Sequence, residues 1–206
     1  LAYHWWWRDG WRQGRHLYAC HFTFQDQPAV QNLAAGYQQA LSSVPDLEPI
    51  PAPWLHLTMQ EVAFLDEISP DQLAEITAVA AAKLAEVPAP QVTLHQASVV
   101  SEAVLLWVTP APPIDAVRTA VRAAIAETLV GIHPSVIPRY RPHVSVAYSN
   151  VEQLAAPAHR ALEGIELAPV TLTLSAVSLI EYHRDDRMYA WTSNTPLPIG
   201  ASMAGG

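Results

Sequence analysis

The sequence predicts an α+β fold, one domain of two similar lobes with a cleft between them. Three observations carry that expectation. Strand-like and helix-like stretches alternate along the 206 residues, as hydrophobic periods of about 2 and 3.6 require. Their order then repeats: strand, helix, histidine-bearing strand, helix, strand, with His56 and His143 at the same place in each repeat, 87 residues apart. Half of the residues are apolar, ample for a buried core.

Each element has its own signal. Residues 17–24 are apolar and aromatic and read as a strand. Residues 28–43 place Val30, Leu33, Ala34, Tyr37 and Leu41 at helical spacing. Pro49, Pro51 and Pro53 then make a stiff connection to a strand over 55–64. Ser69 as a cap, Pro70 at the first position and Asp71 and Gln72 in the first turn open a helix that runs to about Val87. Residues 91–98 and 103–109 read as strands meeting at a turn near Ser101 and Glu102. The second round is a helix over 113–130, a strand over 142–148, a helix over 151–162, a strand over 170–180 and a last strand over 188–192. A domain over 16–195, with lobes of about 16–98 and 101–192, thus follows a Trp/Arg-rich arm at 1–15 and precedes a flexible tail at 196–206.

Composition narrows the function. No run nears the roughly 18 apolar residues a membrane helix needs. Cys20 is the single cysteine, so no internal disulfide or cysteine metal cluster forms. The start, with no Met and with Trp and Arg early, does not read as a signal peptide, and the expected location is the cytoplasm, as a monomer. A net charge of −8 argues against a duplex DNA binder, whose groove needs a basic face. It leaves room for one or two phosphates in a small pocket. Arginine, which bonds phosphate bidentately, supplies every cation but Lys83; the groups are Arg8, Arg12 and Arg15, then Arg139 and Arg141, then Arg184 and Arg187. For any one of them, a salt bridge with the acidic surplus is the commoner role.

The chemistry is concentrated in two tripeptides. On a strand, residues two apart share a face, with Cα atoms about 6.6–6.8 Å apart. His56-Leu57-Thr58 and His143-Val144-Ser145 therefore each set an imidazole beside a hydroxyl, with the middle residue turned into the core. If the lobes face each other, the four groups converge. Phosphoester cleavage needs that set: a base for the attacking oxygen, an acid for the leaving oxygen and donors for the phosphate oxygens. Histidine serves both proton roles because its pKa is about 6.5.

The stretches Leu55-His56-Leu57-Thr58-Met59 and Arg141-Pro142-His143-Val144-Ser145-Val146 resemble the paired signatures of the 2H phosphoesterase superfamily, and most of all its bacterial 2′-5′ RNA ligase-like members. The resemblance covers about residues 17–192. It implies a bilobal fold of two antiparallel-rich sheets around a central cleft with helices outside. It implies metal-independent, cofactor-free cleavage of 2′,3′-cyclic phosphates or 2′-5′ linkages in a small RNA end or cyclic nucleotide. His56 and His143 are then catalytic, with Thr58 and Ser145 on the phosphate. The sequence departs from the pattern where many members carry Arg soon after the second motif; here Ala147-Tyr148 stands, so Tyr148 takes that contact or it is lost. Val62-Ala63-Phe64-Leu65 likewise replaces the usual Phe-Leu-Gly after the first motif. Arg141 is a further substrate contact.

The same tripeptide occurs as His21-Phe22-Thr23, one strand too early for the repeat, so His21 takes no proton role; it lines the cleft if its strand neighbours the motif strands, or is equally a satisfied structural histidine. His133-Pro134-Ser135 is discounted because Pro134 suits a loop. The remaining histidines (His4, His16, His95, His159 and His183) default to surface or packing roles. Trp5, Trp6, Trp7, Arg8 and Trp11 could stack on bases and grip phosphate; packing of the indoles on the domain is favoured, since wet tryptophans are costly. Two other functions compete with the esterase: ligation by the reverse reaction, and binding of RNA ends or nucleotides without turnover. A zinc site on His56 and His143 ranks low because no third ligand is evident.

Overall fold

The structure, a computed structural model, describes residues 1–131 and 139–200; His133-Pro134-Ser135 lies outside them. Nine strands form one curled antiparallel sheet in the order β7-β4-β5-β6-β3-β1-β8-β9, with β2 paired to β6. In chain order the elements are β1 (Leu17–Thr23), α1 (Pro28–Leu41), β2 (Leu47–Pro49), β3 (His56–Phe64), α2 (Pro70–Ala85), β4 (Gln91–Val99), β5 (Ala103–Thr109), α3 (Ala111–Thr128), β6 (His143–Ser149), α4 (Ala156–Leu162), β7 (Val170–Thr173), β8 (Ala176–His183) and β9 (Ala190–Pro198).

The helices form where the spacing placed them. Val30, Leu33, Ala34, Tyr37 and Leu41 are the buried face of α1, and Ser69 and Gln72 complete a reciprocal capping box at the start of α2. The main core packs these faces against one side of the sheet, with Leu57 and Val144 fully buried in it.

The repeat is present with its last strands exchanged. β1-α1-β3-α2-β4 corresponds to β5-α3-β6-α4-β8, but β4 pairs with β5 and β8 pairs with β1. The sheet therefore has two halves, β7-β4-β5-β6 and β3-β1-β8-β9, that differ from the chain lobes 16–98 and 101–192. A short turn after β4 keeps that strand beside β5, which carries it into the second half. The halves join through a single residue pair, Leu57 with Val144.

Four expectations are corrected. Prolines 49–53 do not only stiffen a connection: Pro49 ends β2, an edge strand where a missing N–H is tolerated. The stretch 151–155 is not helical, since the Gln153 N–H donates to the Leu1 carbonyl of the arm at 2.9 Å rather than to its own turn. The strand over 170–180 is two strands, β7 and β8, broken at Leu174 and Ser175. Of the tail expected over 196–206, residues 196–200 are structured, with β9 extending to Pro198, Ile199 N–H donating to the Ser175 carbonyl at 2.8 Å and Gly200 N–H to the Leu84 carbonyl at 3.0 Å, while 201–206 lie outside the described residues.

Candidate active site

The Leu57–Val144 pair fixes the geometry. Both side chains point into the helix-covered core, so their sequence neighbours point to the opposite, open face. In antiparallel register His56 then lies across from Ser145, and Thr58 across from His143. The two imidazoles stand on the diagonal of that square, a relation that puts residues about 7–8 Å apart at the backbone, within reach of one phosphate. Residues on the flanking strands that pair with this square share its face: Thr23 with His56 and His21 with Thr58 on β1, and Trp107 with His143 on β5.

Both histidines are held in the same way. His56 Nδ1–H donates to the Trp54 carbonyl at 2.8 Å, and His143 Nδ1–H donates to the Arg141 carbonyl at 2.8 Å, each two residues upstream. That bond fixes the tautomer and leaves Nε2 of each ring with the free lone pair. Burial lowers both pKa values. His56 falls to about 3, through desolvation first and then the neighbouring His21; His143, which is half-buried, is also lowered by desolvation, against which its hydrogen bond to the Arg141 carbonyl works.

A second device recurs in both motif strands. β3 carries an extra residue at Met59 against β1, and β6 an extra residue at Val146 against β5. Each bulge turns the residue five beyond the histidine, Glu61 or Tyr148, back onto the open face. The bulged carbonyls are held from the helices: Arg118 Nε on α3 donates to Met59 O at 3.0 Å, and Gln38 Nε2 on α1 donates to Val146 O at 2.9 Å. Each helix thus clamps the motif strand of the other repeat. Tyr148 meets the Ser145 hydroxyl, and burial raises its phenol pKa, so it is a neutral hydroxyl at working pH.

Around this square the structure brings in His21 and Arg141, which the sequence singled out, and further groups that it did not. The His21 and His56 rings stack at 5.1 Å and 11°. Tyr189 and Trp191 stand edge-on to His56 at 5.8 and 6.0 Å, and Trp107 edge-on to His143 at 6.0 Å. Arg141 is exposed and lies over the Trp107 ring at 3.9 Å. His4 is buried, stacks on Tyr148 at 3.9 Å and shares a hydrogen bond with Tyr189 at 3.1 Å. Its default to packing therefore holds only in part: it packs, but at the site. Tyr148 was named from the sequence, and its equal offset could have found Glu61 in the other motif; nothing in the local sequence points to Tyr189 or His4.

The arm packs its indoles as favoured, but only two of them. Trp5 and Trp11 are buried, whereas Trp6 and Trp7 are about half exposed, at 53% and 51%. Arg184, itself buried, lies 5.3–5.8 Å from the rings of Trp5, Trp11 and Tyr189 and donates to the carbonyls of His4 and Trp6. Arg8 pairs with Glu102 at 3.3 Å. Beyond His56, across Thr23, a cavity of about 240 Å³ is lined by Thr23, Ser178 and Asn194, whose side chains are hydrogen-bonded together at 3.1 and 3.4 Å. Among the described residues no three His, Cys, Asp or Glu side chains group to hold a metal ion, and no helix is long and apolar enough to cross a membrane.

The model of the 2′-5′ RNA ligase superfamily matches residues 21–186, a span that contains both tripeptides. The chain belongs to that family. Solved structures agree in fold. TT0787 of Thermus thermophilus matches with a TM-score of 0.64 at 15% identity, covering 89% of this chain and 97% of that one. E. coli LigT in apo form gives 0.55 at 13%, again with 89% and 97% covered. The MHV ns2 PDE domain gives 0.53 at 12%, with 81% and 97% covered. No curated protein matches the sequence. The family makes the chain a phosphoesterase or 2′-5′ RNA ligase-like enzyme.

Proposed function

We propose that the protein is a metal-independent phosphodiesterase that opens a 2′,3′-cyclic phosphate or cleaves a 2′-5′ linkage in a small RNA or nucleotide. The observation that carries this reading is the diagonal pair of imidazoles on one open face, each with Nδ1 bound to a carbonyl and Nε2 left over, between the hydroxyls of Thr58 and Ser145. One neutral Nε2 takes a proton from the attacking water as the P–O bond forms. The other imidazole, protonated, gives its Nε2 proton to the leaving ribose oxygen as the old P–O bond breaks. Thr58 and Ser145 donate to the non-bridging oxygens, where charge develops.

E. coli LigT is known in complex with 3′-AMP and with NADP+, which supports a nucleotide as ligand here. The cavity lined by Thr23, Ser178 and Asn194 offers uncharged donors and acceptors one to two strand spacings, about 5–10 Å, from His56, where the nucleoside would extend. Arg141, exposed beside His143, suits a second phosphate of a longer RNA end.

A screen of 2′,3′-cyclic mononucleotides and short 2′-5′ oligomers, with and without chelator, tests this. Turnover that survives chelation is expected, since side chains supply acid, base and anion donors. Activity lost on chelation and restored by zinc or manganese would overturn the metal-independent mechanism, and binding without turnover would leave a nucleotide-binding module.

A further inference from the structure

We propose that His21 is a positioning residue for His56, and that its presence in one half of the sheet only makes His56 the base and His143 the acid. This rests on the paired-histidine reading above and deepens it by breaking the symmetry of the pair. At the position of β5 that corresponds to His21 in the second half stands Leu105, paired with Ser145 as His21 is paired with Thr58. The repeat therefore supplies a third imidazole once.

That imidazole is fixed from both sides. His21 is buried, its Nδ1–H donates to the Cys20 carbonyl at 2.7 Å, and its ring lies nearly parallel to that of His56 at 5.1 Å. Tyr182 on β8 packs behind it at 5.7 Å. The groups that face His56 are His21 from β1, Tyr189 and Trp191 at the start of β9, His143 from β6 and His4 from the arm. Three of these five are imidazoles, and the remaining two are neutral rings. A proton on His56 would therefore meet neutral rings on these sides, and burial denies the charge bulk hydration. The Glu61 carboxylate accepts from the Tyr182 hydroxyl at 3.2 Å, and Glu102 lies by His4 and Arg8, so both nearby acids are engaged elsewhere. Arg8 and Arg184 add positive charge behind Tyr189 and His4.

His143 is more open. It is half-buried, Trp107 stands edge-on to it at 6.0 Å, and Arg141, which faces it, lies over that indole and is exposed to solvent. An acid must be reloaded with a proton each turnover, which needs contact with water; a base must be neutral beforehand, which burial secures. The net cycle passes one proton from the attacking water to His56 and one from His143 to the leaving oxygen, and solvent exchange restores both.

The test has two independent readouts. In the free protein, NMR titration of the imidazole resonances, assigned with His56→Ala and His143→Ala, should show His143 taking up its proton at higher pH than His56. The reverse order overturns the proposal whether or not any nucleotide is turned over. With a 2′,3′-cyclic mononucleotide that is turned over, His21→Ala should lower kcat about tenfold and move the acid limb of the profile upward by about one pH unit. His21→Phe, which keeps a stacked ring, should restore most of the rate and the position of that limb. A folded His21→Ala protein with an unmoved limb contradicts the assignment; a His21→Ala protein that does not fold leaves the wild-type titration and His21→Phe to decide. Failure of turnover with the predicted titration order would count against the esterase reading and not against His21.

Discussion

His56 and His143 begin equivalent antiparallel strands, carry the same Nδ1 bond to a carbonyl two residues back, and precede bulges at the same offset, yet their surroundings differ. His56 is buried against His21, Tyr189 and Trp191; His143 is half-buried beside Trp107 and Arg141. The likeness lies in the backbone and the difference in the residues that the neighbouring strands and the arm contribute. A pseudo-two-fold repeat can thus place two identical groups symmetrically and still give them unequal environments. Acid–base catalysis needs that inequality.

The comparison can be broken at several levels. The largest effect is expected at the imidazoles themselves: replacing either His56 or His143 by Ala should lower turnover by about 10²–10⁴-fold, or roughly 3–5 kcal/mol in the barrier, measured as kcat at saturating nucleotide. Next comes the seam between the halves. Leu57 is fully buried at the one pair that joins them, so Leu57→Ala should cost about 2–5 kcal/mol in chemical denaturation. A value near zero would show that the seam does not hold the two motifs together.

Acid sharpens the comparison in a different way. Folded pKa values of about 4 for His21 and about 3 for His56 lie below the unfolded value of about 6.5, so between these limits the unfolded chain binds more protons. Stability from these groups is fully present above pH 6.5 and is lost as the pH falls toward 3–4. At pH 5 each buried imidazole should cost about 2 kcal/mol relative to neutral pH. Thermal melts at pH 7 and pH 5 should differ less in a His21→Phe variant than in the wild type.

Smaller effects are expected at the rim. Tyr148→Phe removes one hydroxyl at Ser145 and should lower kcat by about tenfold or less, in line with a hydrogen bond worth roughly 0.5–1.5 kcal/mol. Asn194→Ala should raise KM a few-fold and leave kcat alone if the nucleoside occupies the cavity by Thr23; an unchanged KM would place the nucleoside elsewhere.

Much of this was legible in the sequence, and the physical reason is period. Leu57 and Val144 lie between polar partners at spacing two, so one strand reading fixed which side chains share a face. The helix α1 was legible from five apolar residues, all of which are buried. The exchange of β4 and β8 was not legible, because local pattern says that a strand exists and nothing about its partner. The bulges at Met59 and Val146 were hidden for the same reason: they exist only relative to β1 and β5. His4 escaped because its place depends on how the arm folds back, fixed by the His4 N–H bond to Ser149 O at 3.0 Å and by Arg184. Tyr148 was singled out from the sequence, though its route to the site, through a bulge, was not.

The central claim is that His56 and His143 act as one unit on one phosphate. The most direct test compares kcat of His56→Ala, His143→Ala and the double variant on a 2′,3′-cyclic mononucleotide, with folding verified for each. Residues that act as a unit lose their effect together, so the double variant should be little slower than the slower single. A double variant slowed by the product of the two singles, or full activity in either single, would contradict the account.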